Sequence, residues 1–209
     1  MRHDRVYVFT ALGALVILAF PLPAAAQEDM DELCGLLLQE ARVQVESLEL
    51  AANVRGEELR IAGLLLDMAD ALLSNDLITR AEHLAAKHRR DVTRLTFEFA
   101  ETMVTREQAA LDQYELACSE PPTPEESGER GTIEQARQRY FEADCALIEL
   151  EEALARVDLE YQNGVLNRSQ ELRGSGIASL LEVMLAERNI NVTNHRLGLA
   201  LQRTARCQR

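Results

Sequence analysis

The sequence predicts an all-α protein built from two long antiparallel coiled-coil hairpins packed as an elongated four-helix bundle. Three observations carry that prediction. The chain has no Trp and only 4% aromatic residues, and Ala, Leu, Glu and Arg dominate, a composition suited to long helices. Apolar residues recur at alternating steps of three and four, the spacing that keeps one stripe of a helix facing a partner. Pro121, Pro122 and Pro124 are confined to a single segment. The other two prolines, Pro21 and Pro23, stand near the start of the chain, so residues 24–120 and 125–209 are free of the residue that removes a helix donor and clashes with the preceding turn.

Residues 1–26 read as a cleavable secretory signal. Arg2 and Arg5 form a positive start, Val6 to Phe20 an apolar run, and "PLPAAAQ" ends in small residues, which places cleavage between Ala26 and Gln27. The apolar run is shorter than the roughly 20 residues a membrane span needs, and no later stretch is apolar enough to span. No Cys stands at the cleavage point, so no lipid anchor is expected there.

Residues 27–119 form the first predicted hairpin. Cys34, Leu38, Ala41, Val45, Leu48, Ala52, Arg55, Leu59, Ala62, Leu66, Ala69 and Leu73 make its seam, with small and large residues mixed so that helices approach closely. "LLSNDLIT" interrupts the pattern, and Thr79 with Glu82 supplies a capping box for the restart. Residues 120–131 are a Pro-rich linker. Residues 132–209 form the second hairpin, with Thr132 and Gln135 as a capping box at its start. Two apolar ridges follow: Phe141, Cys145, Ile148, Ala155 and Leu159; and Tyr140, Ala143, Leu147, Leu150, Leu154, Val157 and Tyr161. Two ridges on one helix imply two packing neighbours. After "RGSG", Ser179 and Glu182 cap a last helix whose seam runs through Val183, Ala186, Ile190, Thr193, Leu197, Ala200, Thr204 and Cys207.

The turns match at an offset of 100 residues. Asp76-Leu77-Ile78-Thr79 aligns with Gly176-Ile177-Ala178-Ser179, Glu82 with Glu182, and Ala86 with Ala186. The hairpin therefore reads as duplicated.

Four cysteines in an exported chain favour two disulfides, for which three pairings exist. In an antiparallel hairpin, residues equidistant from the turn lie at the same height. Cys34 and Cys118 are equidistant from residue 76, and Cys145 and Cys207 from residue 176. A Cys118–Cys145 bridge would join residues differing in height by about 16 Å. Hairpin geometry therefore favours Cys34–Cys118 and Cys145–Cys207.

The formal charge is −13, a balance that repels phosphate backbones and argues against nucleic-acid binding. His83 and His88 are five residues apart, not stacked on one helical face as a metal pair requires. The run Lys87 to Arg90 reads as salt-bridged surface, and no phosphate loop or nucleophile elbow is present. The sequence nominates no catalytic, cofactor-binding or metal-ligating residue and predicts a non-enzyme.

"GIASLLEVMLAERN" resembles the segment G-x-x-[ST]-x-x-[DE]-V-[LM]-x-A of TolC-type outer-membrane efflux proteins, through Gly176, Ser179, Glu182, Val183, Met184 and Ala186. In that family the Gly and hydroxyl residue lie at the periplasmic turn between two long helices. Acidic residues just after it line the periplasmic mouth, and tip residues meet the hairpins of an adaptor. No strand pattern is present here, so the resemblance extends only to the helical, periplasmic part. It implies a periplasmic coiled-coil protein acting in export or efflux through hairpin tips, with Asp76, Thr79, Glu82, Gly176, Ser179 and Glu182 as contact residues. The expected partners are a protein of the cell envelope, such as a periplasmic adaptor or export complex, and a second copy of the chain. The alternative is a self-contained, disulfide-stabilised periplasmic bundle serving as scaffold, chaperone or stress-response factor.

Overall fold

The computed structural model describes residues 24–118 and 127–208, with side chains from residues 32–118 and 132–208. The expected signal lies outside the described residues up to residue 23, as do residue 119 and residues 120–126 of the Pro-rich linker. Four helices follow one another: α1 (Ala24–Ser74), α2 (Arg80–Cys118), α3 (Ser127–Gly174) and α4 (Leu180–Cys207). No strand occurs among the described residues. At 1.5 Å per residue, the 51-residue α1 is about 77 Å long.

α1 packs on α2, α2 on α3 and α3 on α4, and no other pair of described helices is in contact. The bundle is thus an open row of antiparallel helices. α2 and α3 are interior members with two neighbours each, whereas α1 and α4 have one neighbour each and an outer face that no other described helix covers.

The seam of α1 is realised along its length. Val45, Ala52, Ala62 and Ala69 are buried, and Cys34, Leu38, Ala41, Leu48, Leu59, Leu66 and Leu73 are half-buried. Only Arg55 on that stripe is exposed, where it pairs with Glu58 at 2.6 Å. In α4, Val183, Ala186, Thr193, Ala200 and Thr204 are buried. The core is thin and made largely of alanine, and no large side chain in it is fully buried. Small residues let backbones come close. Gly56 faces the Phe97 ring across α1 and α2, and Gly164 faces the Leu84 side chain across α2 and α3.

Two elements differ from expectation. Phe141, assigned to a ridge of α3, is exposed. Its antiparallel counterpart about residue 176 would lie beyond Cys207, where α4 ends, so Phe141 has no α4 surface to pack against. The start of α3 is at Ser127, which puts Thr132 inside the helix and not at its cap. The cost of about 1 kcal/mol for each of Gly128 and Gly131 does not stop the helix from extending upstream of Thr132.

The disulfides join Cys34 to Cys118 and Cys145 to Cys207, with Cα separations of 5.7 Å and 5.6 Å. Each ties the two helices of one hairpin. The bridges close loops with sequence separations of 84 and 62 residues, which the chain-entropy relation converts to about 4 kcal/mol each. Against a thin core that is a large share of the stability. Reduction is therefore expected to lower the urea midpoint strongly. The Cys145→Ala/Cys207→Ala double variant should lose about 4 kcal/mol of unfolding free energy in urea titrations followed by circular dichroism.

Candidate functional site

Both hairpin turns lie at one end of the row, because α2 and α3 are antiparallel and pack side by side, with Leu84 against Gly164. The turns are built alike. Asp76 has φ 56° and Gly176 has φ 75°, the left-handed conformation that ends a helix. Asp76 N donates to Leu73 O at 3.0 Å and Leu77 N to Leu72 O at 2.9 Å. Gly176 N donates to Arg173 O at 2.9 Å and Ile177 N to Leu172 O at 2.8 Å. That pair of bonds is the Schellman motif, which satisfies carbonyls at the helix end. Asparagine and aspartate tolerate this backbone through local side-chain bonding, and glycine adopts it without steric cost.

Each restart is a capping box. Thr79 N donates to Glu82 Oε2 at 2.7 Å while Glu82 N donates to Thr79 Oγ1 at 3.2 Å. Ser179 N donates to Glu182 Oε2 at 2.6 Å, and Glu182 N donates to Ser179 Oγ at 3.2 Å. The Thr79 and Ser179 hydroxyls also donate to the same Oε2 atoms, at 2.9 Å and 3.0 Å, and the two backbone N–H donors first, then these hydroxyls, hold both glutamates below the usual carboxylate range. All six sequence-nominated tip residues therefore sit in the two turns. Asp76 and Gly176 set the reversal; Thr79, Glu82, Ser179 and Glu182 are engaged in capping.

The residues left most available are others. Leu77 is 69% exposed and Ile177 is 73% exposed, each immediately after its left-handed residue. Leu180 and Leu181 add exposed apolar surface to the second tip. Capping and turn chemistry point to neither Leu77 nor Ile177, although the two are equivalent at the 100-residue offset.

Between the hairpins runs a polar seam. His88 Nε2 lies 2.9 Å from Asp158 Oδ1, and its ring stacks on Tyr161 with centroids 4.1 Å apart. Lys87 Nζ is 3.2 Å from Glu160. Lower down, Arg106 is bound to Glu107 at 2.6 Å, lies 3.4 Å from Asp144 and sits over the Tyr140 ring at 5.8 Å. Burial opposes the Arg106 charge, but Glu107, Tyr140 and Asp144 outweigh it and raise its pKa; burial chiefly raises that of Tyr140. His83 pairs instead with Asp70 at 2.6 Å, across α1 and α2. The two histidines thus serve different helix pairs. Among the described residues no group of three or more His, Cys, Asp or Glu side chains is placed to hold a metal ion, and no helix is long and apolar enough to cross a membrane.

Comparison of the chain with known protein families, with curated proteins and with solved structures yields no match.

The tip geometry has measurable consequences. Ser179→Ala should destabilise hairpin 2 by about 1 kcal/mol through loss of the cap. Gly176→Val should destabilise it by about 1–2 kcal/mol, since a branched side chain resists positive φ. Both are read from urea midpoints. Because the folded-state pKa values of Glu82 and Glu182 are depressed, their stabilisation is present above the unfolded carboxylate value near ~4.3. It is lost as pH falls through the lower folded values. Glu182→Gln should therefore flatten the acid limb of a stability–pH profile while leaving its slope near neutrality unchanged.

Proposed function

We propose that the chain is an exported, non-enzymatic coiled-coil protein that acts in the periplasm by presenting its two hairpin tips to a protein partner of the cell envelope. The observation that carries this reading is the matched exposure of Leu77 and Ile177 at the ends of two turns of the same geometry. A large aliphatic side chain held in water by a rigid turn gains free energy when a partner covers it, about 1.5–3 kcal/mol for full burial. Two such side chains at one end of a long rod make an end-on contact.

The two disulfides fit an oxidising compartment. Together with the signal-like start, they support a periplasmic setting. The resemblance of the Gly176 segment to the periplasmic turn of TolC-type efflux proteins supports a role in export or efflux, with an adaptor or export complex as the partner. A self-contained scaffold or chaperone is the other reading from the sequence. The exposed tips favour end-on contact over it, because a bundle acting alone gains nothing from leaving Leu77 and Ile177 in water.

A photo-crosslinking residue at position 177, introduced in cells of the native host, should capture one envelope protein. The same residue at the exposed Glu149, on the flank of α3, should not. With the crosslinking residue kept at position 177, Leu77→Asp at the neighbouring tip should weaken that capture without lowering the unfolding midpoint, because Leu77 is exposed. Equal capture from both positions, or none from position 177, would sink the tip-contact reading.

A further inference from the structure

We infer that the uncovered faces of α1 and α4 are the two halves of one interface, by which α4 of one copy packs on α1 of the next. Internal repetition carries the argument. Subtracting 100 residues maps α3 onto α1 and α4 onto α2, in the register already set by the twin left-handed residues at 76 and 176. The contact between α2 and α3 is then a contact between the second helix of one hairpin and the first helix of another. The chain makes that contact once, and its two ends carry the faces to make it again.

Tyr140, Asp144, Tyr161 and Gly164 mark the face of α3 that meets α2, and helical register puts Ala143, Leu150 and Leu154 on the same stripe. On or beside this stripe Arg106 meets Tyr140 and Asp144, His88 stacks on Tyr161, and Leu84 faces Gly164. In α1 the counterparts of Ala143, Leu150, Leu154, Tyr161 and Gly164 are Val43, Leu50, Val54, Ile61 and Leu64. All five are large aliphatic residues, and all are between 48% and 68% exposed. An apolar stripe at the register of an existing interface, with no described helix on it, is a stripe awaiting the same kind of helix. α4 offers exposed Met184, the counterpart of Leu84, together with Leu185, Val192 and Leu199.

The charges agree with this register. Lys87 and Glu160, paired across α2 and α3, correspond to Glu187 and Arg60, so the signs are exchanged but remain opposite. His88 and Asp158 correspond to Arg188 and Glu58, again complementary. Arg106, which lies over Tyr140, corresponds to Arg206, opposite Glu40. Within one copy Arg60 pairs with Glu57 and Glu58 with Arg55, each three residues away and exposed. Such pairs are weak and yield readily to partners across an interface. α4 ends at Cys207, so it reaches α1 of the next copy from about Leu64 to Val43 and leaves Leu36 beyond it.

An interface joining different faces of successive copies is heterologous, and repetition closes it into a ring or extends it as a filament. The occupant is a second copy of this chain, because the complementary charge order and the stripe both come from its own helices.

The full-length, oxidised chain is the material for the test. Sedimentation over a concentration series should show concentration-dependent assembly. Arg60→Glu alone and Glu187→Arg alone should each weaken it at least about tenfold, since like charges then face each other across the interface. The combined Arg60→Glu/Glu187→Arg chain should restore it. Circular dichroism of each variant should be unchanged, as both positions are exposed. A short thiol crosslinker should join Leu64→Cys chains to Met184→Cys chains only when the two are mixed. A monomer at every concentration overturns the inference, as does an assembly indifferent to both single reversals. Crosslinking of Leu64→Cys chains to one another without the Met184→Cys partner overturns it as well.

Discussion

The reversal of chain direction at residues 76 and 176 sets the register on which every other contact depends. A left-handed residue and a capping box leave little freedom in where one helix stops and the next starts. Once the turn is placed, every residue of the returning helix has an assigned height. Cys34 meets Cys118, Asp70 meets His83 and Gly56 meets Phe97 because of that assignment. A slip of one residue would rotate a helix by about 100° and take the whole seam off its partner.

That register is needed because the core has little depth. Its buried positions are mostly alanines, with Val45, Leu95, Leu111, Leu147 and Val183 among the larger ones. Alanine contributes little apolar area, and what it offers is close approach of backbones. Stability then rests on length, on many small contacts repeated along helices of 28 to 51 residues, and on the covalent ties. The disulfides stand at unequal distances from their turns, so each braces a different level of the rod. The polar groups between the hairpins, His88 with Asp158 and Arg106 with Asp144, add orientation more than energy, being partly solvated pairs.

Repetition also explains why the row is open. A helix in the interior carries two apolar ridges, and α3 uses both, one on α2 and one on α4. α1 carries the same two ridges but has only α2 beside it among the described helices. A duplicated hairpin whose repeats meet head to tail leaves the first and last faces unmatched within a single chain, as any array of repeats does at its ends. The acidic surplus of the chain is spread along these rods, where opposite charges three or four residues apart partly neutralise it.

The sequence by itself determined the helices, the two turns and the pairing of cysteines within hairpins. These follow from local rules: periodicity along one helix, capping residues beside it, and equal distance from a turn. The twin tips were legible for the same reason, since Gly176, Ser179 and Glu182 declare a turn through their own backbone chemistry. Tertiary structure decided what depends on which faces meet. Leu77 and Ile177 stand in water, which turn chemistry does not reveal. Phe141 lost its place in the seam because α4 ends before reaching it. The stripe from Val43 to Leu64 looks like core in sequence, having core spacing and core residues. It lies outside because α1 has only α2 beside it among the described helices, and no local rule counts a helix's neighbours.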